Sequence, residues 1–167
     1  MNTYNISVFT ENNIGILNRI TIIFTRRHVN IHSITASECE EEGIYRYTIV
    51  IKNSEDQVIK IVNQIEKLVD VIKAFYYEDK DVVYQELALY KVPYETFKNQ
   101  EINILLKRND ARIISIDENF VTLEKTGTTD EIIELFKVLK PLGVLEYIKS
   151  GRVAISKPMK TLKEFLT

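Results

Sequence analysis

Apolar positions along this chain recur with a period of two, then about 3.6, then two again, and the changes mark out its elements. Tyr4, Ile6 and Val8 alternate as a strand. After the polar stretch Glu11-Asn12-Asn13, Gly15 opens an amphipathic helix running to about Arg27, with Leu17, Ile20, Ile23 and Phe24 predicted to face inward. Ile31 to Cys39 reads as a second strand, Glu40-Glu41-Glu42-Gly43 as a turn, and Tyr45, Tyr47, Ile49 and Ile51 as one face of a third. Ser54 is placed to cap a helix in which Val58, Ile61, Val62, Ile65 and Leu68 share a side. Val69 to Tyr77 closes the unit as a fourth strand.

The charged run Glu78-Asp79-Lys80-Asp81 separates this unit from a second, less regular round. Val83 to Val92 reads as a strand, and Pro93 starts a helix through Phe97 and Leu105. Arg112 to Ile116 and Phe120 to Lys125 form a hairpin; Thr128 caps a helix carrying Ile132, Leu135, Phe136 and Leu139, which Pro141 ends. Val144 to Ile148 and Val153 to Ile155 finish the sheet around a Ser150-Gly151 turn. The expectation is an α+β chain of two ferredoxin-like βαββαβ domains in tandem, residues 1–78 and 83–158, with a tail at 159–167.

Composition narrows the function classes. With 45% hydrophobic and 28% charged residues the chain has the material for real cores. A net charge of −2 gives no basic footprint for nucleic acid, and the sheet tyrosines lack the basic aromatic signature of an RNA-binding ferredoxin-like domain. Most of the 9 tyrosines read as half-buried sheet residues, with Tyr45, Tyr47 and Tyr84 the candidates for a subunit surface. No apolar run reaches about 18 residues, so no membrane span is expected, and MNTYNISVF has no signal-peptide character. The single cysteine, Cys39, has no internal partner, which suits a reducing cytoplasm. His28 and His32 have no carboxylate or cysteine at metal-ligand spacing, and no phosphate loop or nucleophile elbow occurs. An acylphosphatase-like hydrolase would need an arginine in the first loop, which has none. Neither catalysis nor a bound metal is predicted.

The stretch from Phe9 to Ile31 offers a different chemistry. A helix start exposes backbone N–H groups without intrahelical partners, backed by the positive end of the dipole, and so can seat a small carboxylate. Gly15 lets the backbone approach closely, and Asn12 can donate or accept a hydrogen bond. The predicted receptor comprises the backbone around Gly15, Ile16 and Leu17 with Asn12 beside it. Asn30 and Ile31 follow this helix at the start of the second strand.

The first half resembles the ACT domains, small modules that bind amino acids. The whole chain resembles the regulatory small subunits of acetolactate synthase. The residues that carry this are Glu11-Asn12-Asn13-Ile14-Gly15-Ile16-Leu17 with Asn30-Ile31, then Gln64 to Val71 and Gln85 to Val92. Thr126-Gly127, Leu142 to Glu146 and Gly151-Arg152-Val153-Ala154 complete the ordered series. Departures are Ile14, where proline or serine is usual, His28 in place of a frequent glycine, and a poor match from Lys98 to Arg108. The resemblance implies a non-catalytic homodimer that pairs through its ACT domains, with the effector site at the dimer interface, where Asn30 and Ile31 would hold the ammonium and the aliphatic side chain of the amino acid. Its partner would be a large catalytic subunit carrying thiamine diphosphate, Mg and FAD. It further implies activation of that subunit and feedback inhibition by a branched-chain amino acid, most often valine. The first domain's exposed sheet edge, or the hairpin near Glu40 to Tyr45, is the expected contact surface for the large subunit. A stand-alone ACT-type sensor for another enzyme or a transcription circuit is the alternative.

Overall fold

The structure, a computed structural model, describes residues 1–98, 101–158 and 162. The chain divides into two compact units, residues 1–84 with 152–167, and residues 85–151.

In the first unit the strands are β1 (Asn2–Glu11), β2 (Ile31–Glu38), β3 (Ile44–Asn53) and β4 (Val71–Glu78), and the helices are α1 (Ile16–Arg26) and α2 (Glu55–Ile65). The sheet order is β2-β3-β1-β4, which leaves β2 and β4 as edges. All three pairings are antiparallel, with Ile6 opposite Ile49 and Ile34 opposite Ile49 on the other side. Tyr4, Ile6 and Val8 of β1 and Tyr47, Ile49 and Ile51 of β3 meet Ile20, Phe24, Ile61 and Ile65 of the helices in one core. Period two on the strands and 3.6 on the helices both point at this layer. Tyr47 is therefore a core residue and not part of a subunit surface.

The stripe on α1 departs from expectation at one position. Ile16, Ile20, Ile23 and Phe24 are buried, whereas Leu17 is 44% exposed. Spacings of four and seven from Ile16 keep one face, and Leu17 sits about 100° away from it.

The opposite face of the first sheet is also buried. Asn5, Ser7 and Phe9 of β1 and Thr48 and Val50 of β3 point there, and all are buried. The segment after Gly151 supplies contacts on this side. Arg152, 6% exposed, donates from Nη1 to Asp79 Oδ1 at 2.7 Å and to Asn5 Oδ1 at 3.2 Å. Its guanidinium lies 3.8 Å from the centre of the Tyr84 ring. Arg46 reaches the Ala154 carbonyl at 2.6 Å. Tyr84 is thus a platform for an arginine of its own unit.

The second unit holds β5 (Val82–Pro93, which begins in the first unit), α3 (Glu101–Arg108), β6 (Arg112–Ile116), β7 (Phe120–Gly127), α4 (Thr129–Leu139) and β8 (Glu146–Lys149). Strand order is β6-β7-β5-β8, and β9 (Val153–Ser156) pairs with β5. Ala88, Tyr90 and Val92 pack with Leu123, Ile132, Leu135 and Leu139, and the Tyr90 hydroxyl donates to the buried Ile132 carbonyl at 2.9 Å. Pro93 does not start a helix. It ends β5 opposite Phe120, where a residue without an N–H is tolerated, and a 3-10 turn Tyr94–Lys98 follows. Thr128 caps α4 as predicted, in a full capping box with Glu131. Backbone and side-chain hydrogen bonds from Thr128 hold the Glu131 carboxyl below its ordinary range.

Candidate functional site

The loop between β1 and α1 is built by two polar anchors. Ile16 N–H donates to the Asn13 carbonyl at 3.2 Å, closing a four-residue turn in which Gly15 has φ 86° and ψ −1°. Those angles at the third position, behind an Ile14 without positive φ, define a type II turn, which asks for glycine there. A Cβ on Gly15 would meet nothing within 4 Å, so the glycine is required by its dihedral and the space above it is open.

Asn13 secures the loop. Its amide donates to Asp70 Oδ1 at 2.7 Å and to Glu11 Oε2 at 3.3 Å. Arg19, one turn into α1, pairs with Asp70 Oδ2 at 2.5 Å, and Glu11 N–H donates to the Asp70 carbonyl at 3.0 Å. Asp70, just before β4, therefore clamps the head of α1 from across the unit. Sequence reasoning missed Asn13, Arg19 and Asp70. The available signal was an arginine one turn after Gly15, on the side that a carboxylate before the fourth strand can reach.

Of the predicted receptor residues, Asn12, Gly15 and Leu17 are exposed at the head of α1, and Ile16 is buried beneath them. The first bond of the helical ladder runs from Arg19 N–H to the Gly15 carbonyl. Ile16 N–H is already engaged by Asn13, so the amides of Leu17 and Asn18 are the ones a first turn leaves to an outside acceptor. Asn30 is exposed and Ile31 half-buried at the other end of α1. A helix the length of α1 spans about 16 Å, and the two halves of the predicted receptor stay that far apart within one chain.

The end of α1 explains the second departure noted in the sequence. His28 has φ 54°, Val29 N–H donates to the Phe24 carbonyl and His28 N–H to Thr25. This is a Schellman cap with Val29 packed on the core behind Phe24. The same pattern ends α3, where Asp110 has φ 49° and Ala111 N–H donates to the Leu106 carbonyl.

Comparison with known proteins is consistent across both units. An AHAS small subunit-like ACT domain model matches residues 6–73, and a model of the small subunit of acetolactate synthase matches 85–158. An acetolactate synthase small subunit of Bacillus subtilis is 33% identical over 153 residues, covering 91% of this chain and 89% of that one. The chain belongs to the acetolactate synthase small-subunit family. A small subunit of Mycobacterium leprae is 34% identical over 155 residues, covering 93% and 92%. The crystal structure of the Thermotoga maritima small subunit superposes with a TM-score of 0.85 at 28% identity, covering 93% of this chain and 98% of that one. Both the type II turn and β2 lie inside the stretch matched by the family's ACT model. Arg152 and β9, which belong to the first unit, lie inside the stretch matched by its C-terminal model. Among the described residues, no helix is long and apolar enough to cross a membrane.

Proposed function

We propose that this chain is the non-catalytic regulatory subunit of an acetolactate synthase, which activates the catalytic subunit and makes it sensitive to a branched-chain amino acid, with valine the first candidate. Thiamine diphosphate, Mg and FAD would reside on the catalytic subunit, and this chain would supply only control. The observation that carries the effector reading is the open type II turn at the head of α1, in a sheet whose edge is β2.

The strand order makes a receptor from two copies. β2 runs parallel to β1, so its first residues lie at the tail of α1 and its last residues near the head. Antiparallel pairing of β2 with β2 of a second copy brings Asn30 and Ile31 of that copy to the Gly15 turn of the first. The amides of Leu17 and Asn18 and the Asn12 side chain then take the carboxylate, while Asn30 and Ile31 of the second copy take the ammonium and the side chain. A buried zwitterion needs both charges satisfied. Charge-assisted hydrogen bonds of about 1.5–3 kcal/mol each supply this. The branched side chain adds about 1.5–3 kcal/mol by burial. Inhibition follows when the amino acid binds the inhibited assembly better than the active one, by a coupling of about 1–3 kcal/mol. A site shared between copies provides that difference, because filling it fixes their mutual orientation.

Gly15→Asp and Gly15→Asn test the seat together. Both replacements tolerate the left-handed dihedral better than other side chains do, and neither meets a clash. Only the aspartate places a like charge against the effector carboxylate. The expected result is that Gly15→Asp loses valine inhibition while retaining activation, with Gly15→Asn affected far less. Equal behaviour of the two variants would remove the carboxylate from this turn.

A further inference from the structure

On the face of the first sheet turned away from the helices lies a cavity of about 350 Å³, lined among others by Thr35 and Ser37 of β2, Cys39, Arg46 and Thr48 of β3, and Ile155. Ligand pockets begin at about this size. Two polar atoms in its wall are buried and meet no hydrogen-bond partner among the described residues: the Thr35 hydroxyl and Arg46 Nε–H. Buried polar groups are nearly always paired, and two orphans on one cavity point to an outside partner. Thr35 stands opposite Thr48 and Arg46 opposite Ser37, so both orphans project from the same sheet face.

The charge balance selects the partner. The Arg46 guanidinium donates from Nη2 to the Ser7 hydroxyl at 3.1 Å and to the Ala154 carbonyl at 2.6 Å, and it sits 5.4 Å from the centre of the Phe9 ring. All three neighbours are neutral. Glu38 and Glu40 also line the cavity, are exposed, and among the described residues neither forms an ion pair with Arg46. Burial pushes the guanidinium below its ordinary pKa while the Glu40 charge acts the other way, and Arg46 remains protonated at neutral pH. Arg152, in the same wall, is already engaged by Asp79 and Asn5.

We propose that this cavity is a binding site for a small oxyanion, held by Arg46 Nε–H and the Thr35 hydroxyl, on the opposite side of the sheet from the turn at Gly15. An oxygen acceptor satisfies both orphans at once, and a negative charge completes the guanidinium. Inorganic phosphate and a short carboxylate share this chemistry.

The test uses the full chain. Thermal melting is followed while inorganic phosphate or acetate is titrated against chloride at matched ionic strength, in the wild type and in Thr35→Val. The valine variant keeps the shape of the side chain and removes only an unpartnered hydroxyl, so its melting without anion should equal or exceed that of the wild type. Phosphate or acetate is expected to raise the wild-type midpoint beyond the chloride control, and in Thr35→Val the apparent Kd should weaken at least fivefold. The chain's single cysteine gives a second readout, because Cys39 lines the cavity. Its alkylation by iodoacetamide should slow severalfold at saturating anion. Activity of phosphate alone assigns an inorganic anion, and activity of acetate assigns a carboxylate. If neither anion exceeds chloride, the two orphans are met by solvent and the proposal fails. A shift that persists unchanged in Thr35→Val and leaves Cys39 alkylation unaltered places the anion elsewhere and overturns it equally.

Discussion

His28 holds a left-handed dihedral that costs an L-residue about 1–2 kcal/mol and a glycine almost nothing. His28→Gly is therefore expected to stabilise the chain by about 1 kcal/mol, read as a higher urea midpoint at an unchanged slope. Ile14 is a similar case. It occupies the second position of the type II turn, where proline presets the backbone, so Ile14→Pro should add about 0.5 kcal/mol and leave any effector response in place. At this scale the sequence was partly legible. Gly15 and Thr128 announced their roles because a left-handed turn and a capping box are local. Asn13 gave no sign of its anchoring role, because Asp70, its partner, lies 57 residues away. Leu17 was assigned to the core because leucine suits a buried stripe, and only the phase set by Ile16 and Ile20 places it outside.

At the scale of elements, the edge strand β2 and the cap of α4 carry separable predictions. If two copies pair through β2, a charge on its exposed rim is duplicated across the twofold axis. Ala36→Glu should shift the chain from dimer to monomer in sedimentation velocity without changing its circular dichroism, since Ala36 is exposed. The cap on α4 makes a stability statement. Thr128→Ala removes the side-chain half of the capping box and is expected to cost about 1 kcal/mol. The depressed Glu131 carboxyl contributes stability at neutral pH, where it is ionised, and that contribution disappears as pH falls through its folded value below the ordinary carboxylate range. The gap in stability between wild type and Glu131→Gln should accordingly close on acidification.

Across the whole molecule, the segment after Gly151 was the least legible part. The alternation of Val153 and Ile155 identifies a strand, but nothing local says that Arg152 will be buried against Asn5 and Asp79 or that Arg46 will bind the Ala154 carbonyl 108 residues on. The consequence is that the two rounds of βαββαβ are not separable by a cut at Glu78. Such a fragment loses Arg152 from Asn5 and the Ala154 carbonyl from Arg46, and it is expected to bind a hydrophobic dye and melt broadly. In the full chain, Arg152→Ala should cost about 2 kcal/mol, since it strips hydrogen bonds from the buried Asn5 and from Asp79. The central claim remains control of a catalytic partner, and it is tested most directly by acetolactate formation. The cognate catalytic subunit is assayed with and without this chain while valine is titrated in. Stimulation by the chain that valine reverses is the predicted result, and absence of stimulation with both proteins folded would contradict the account.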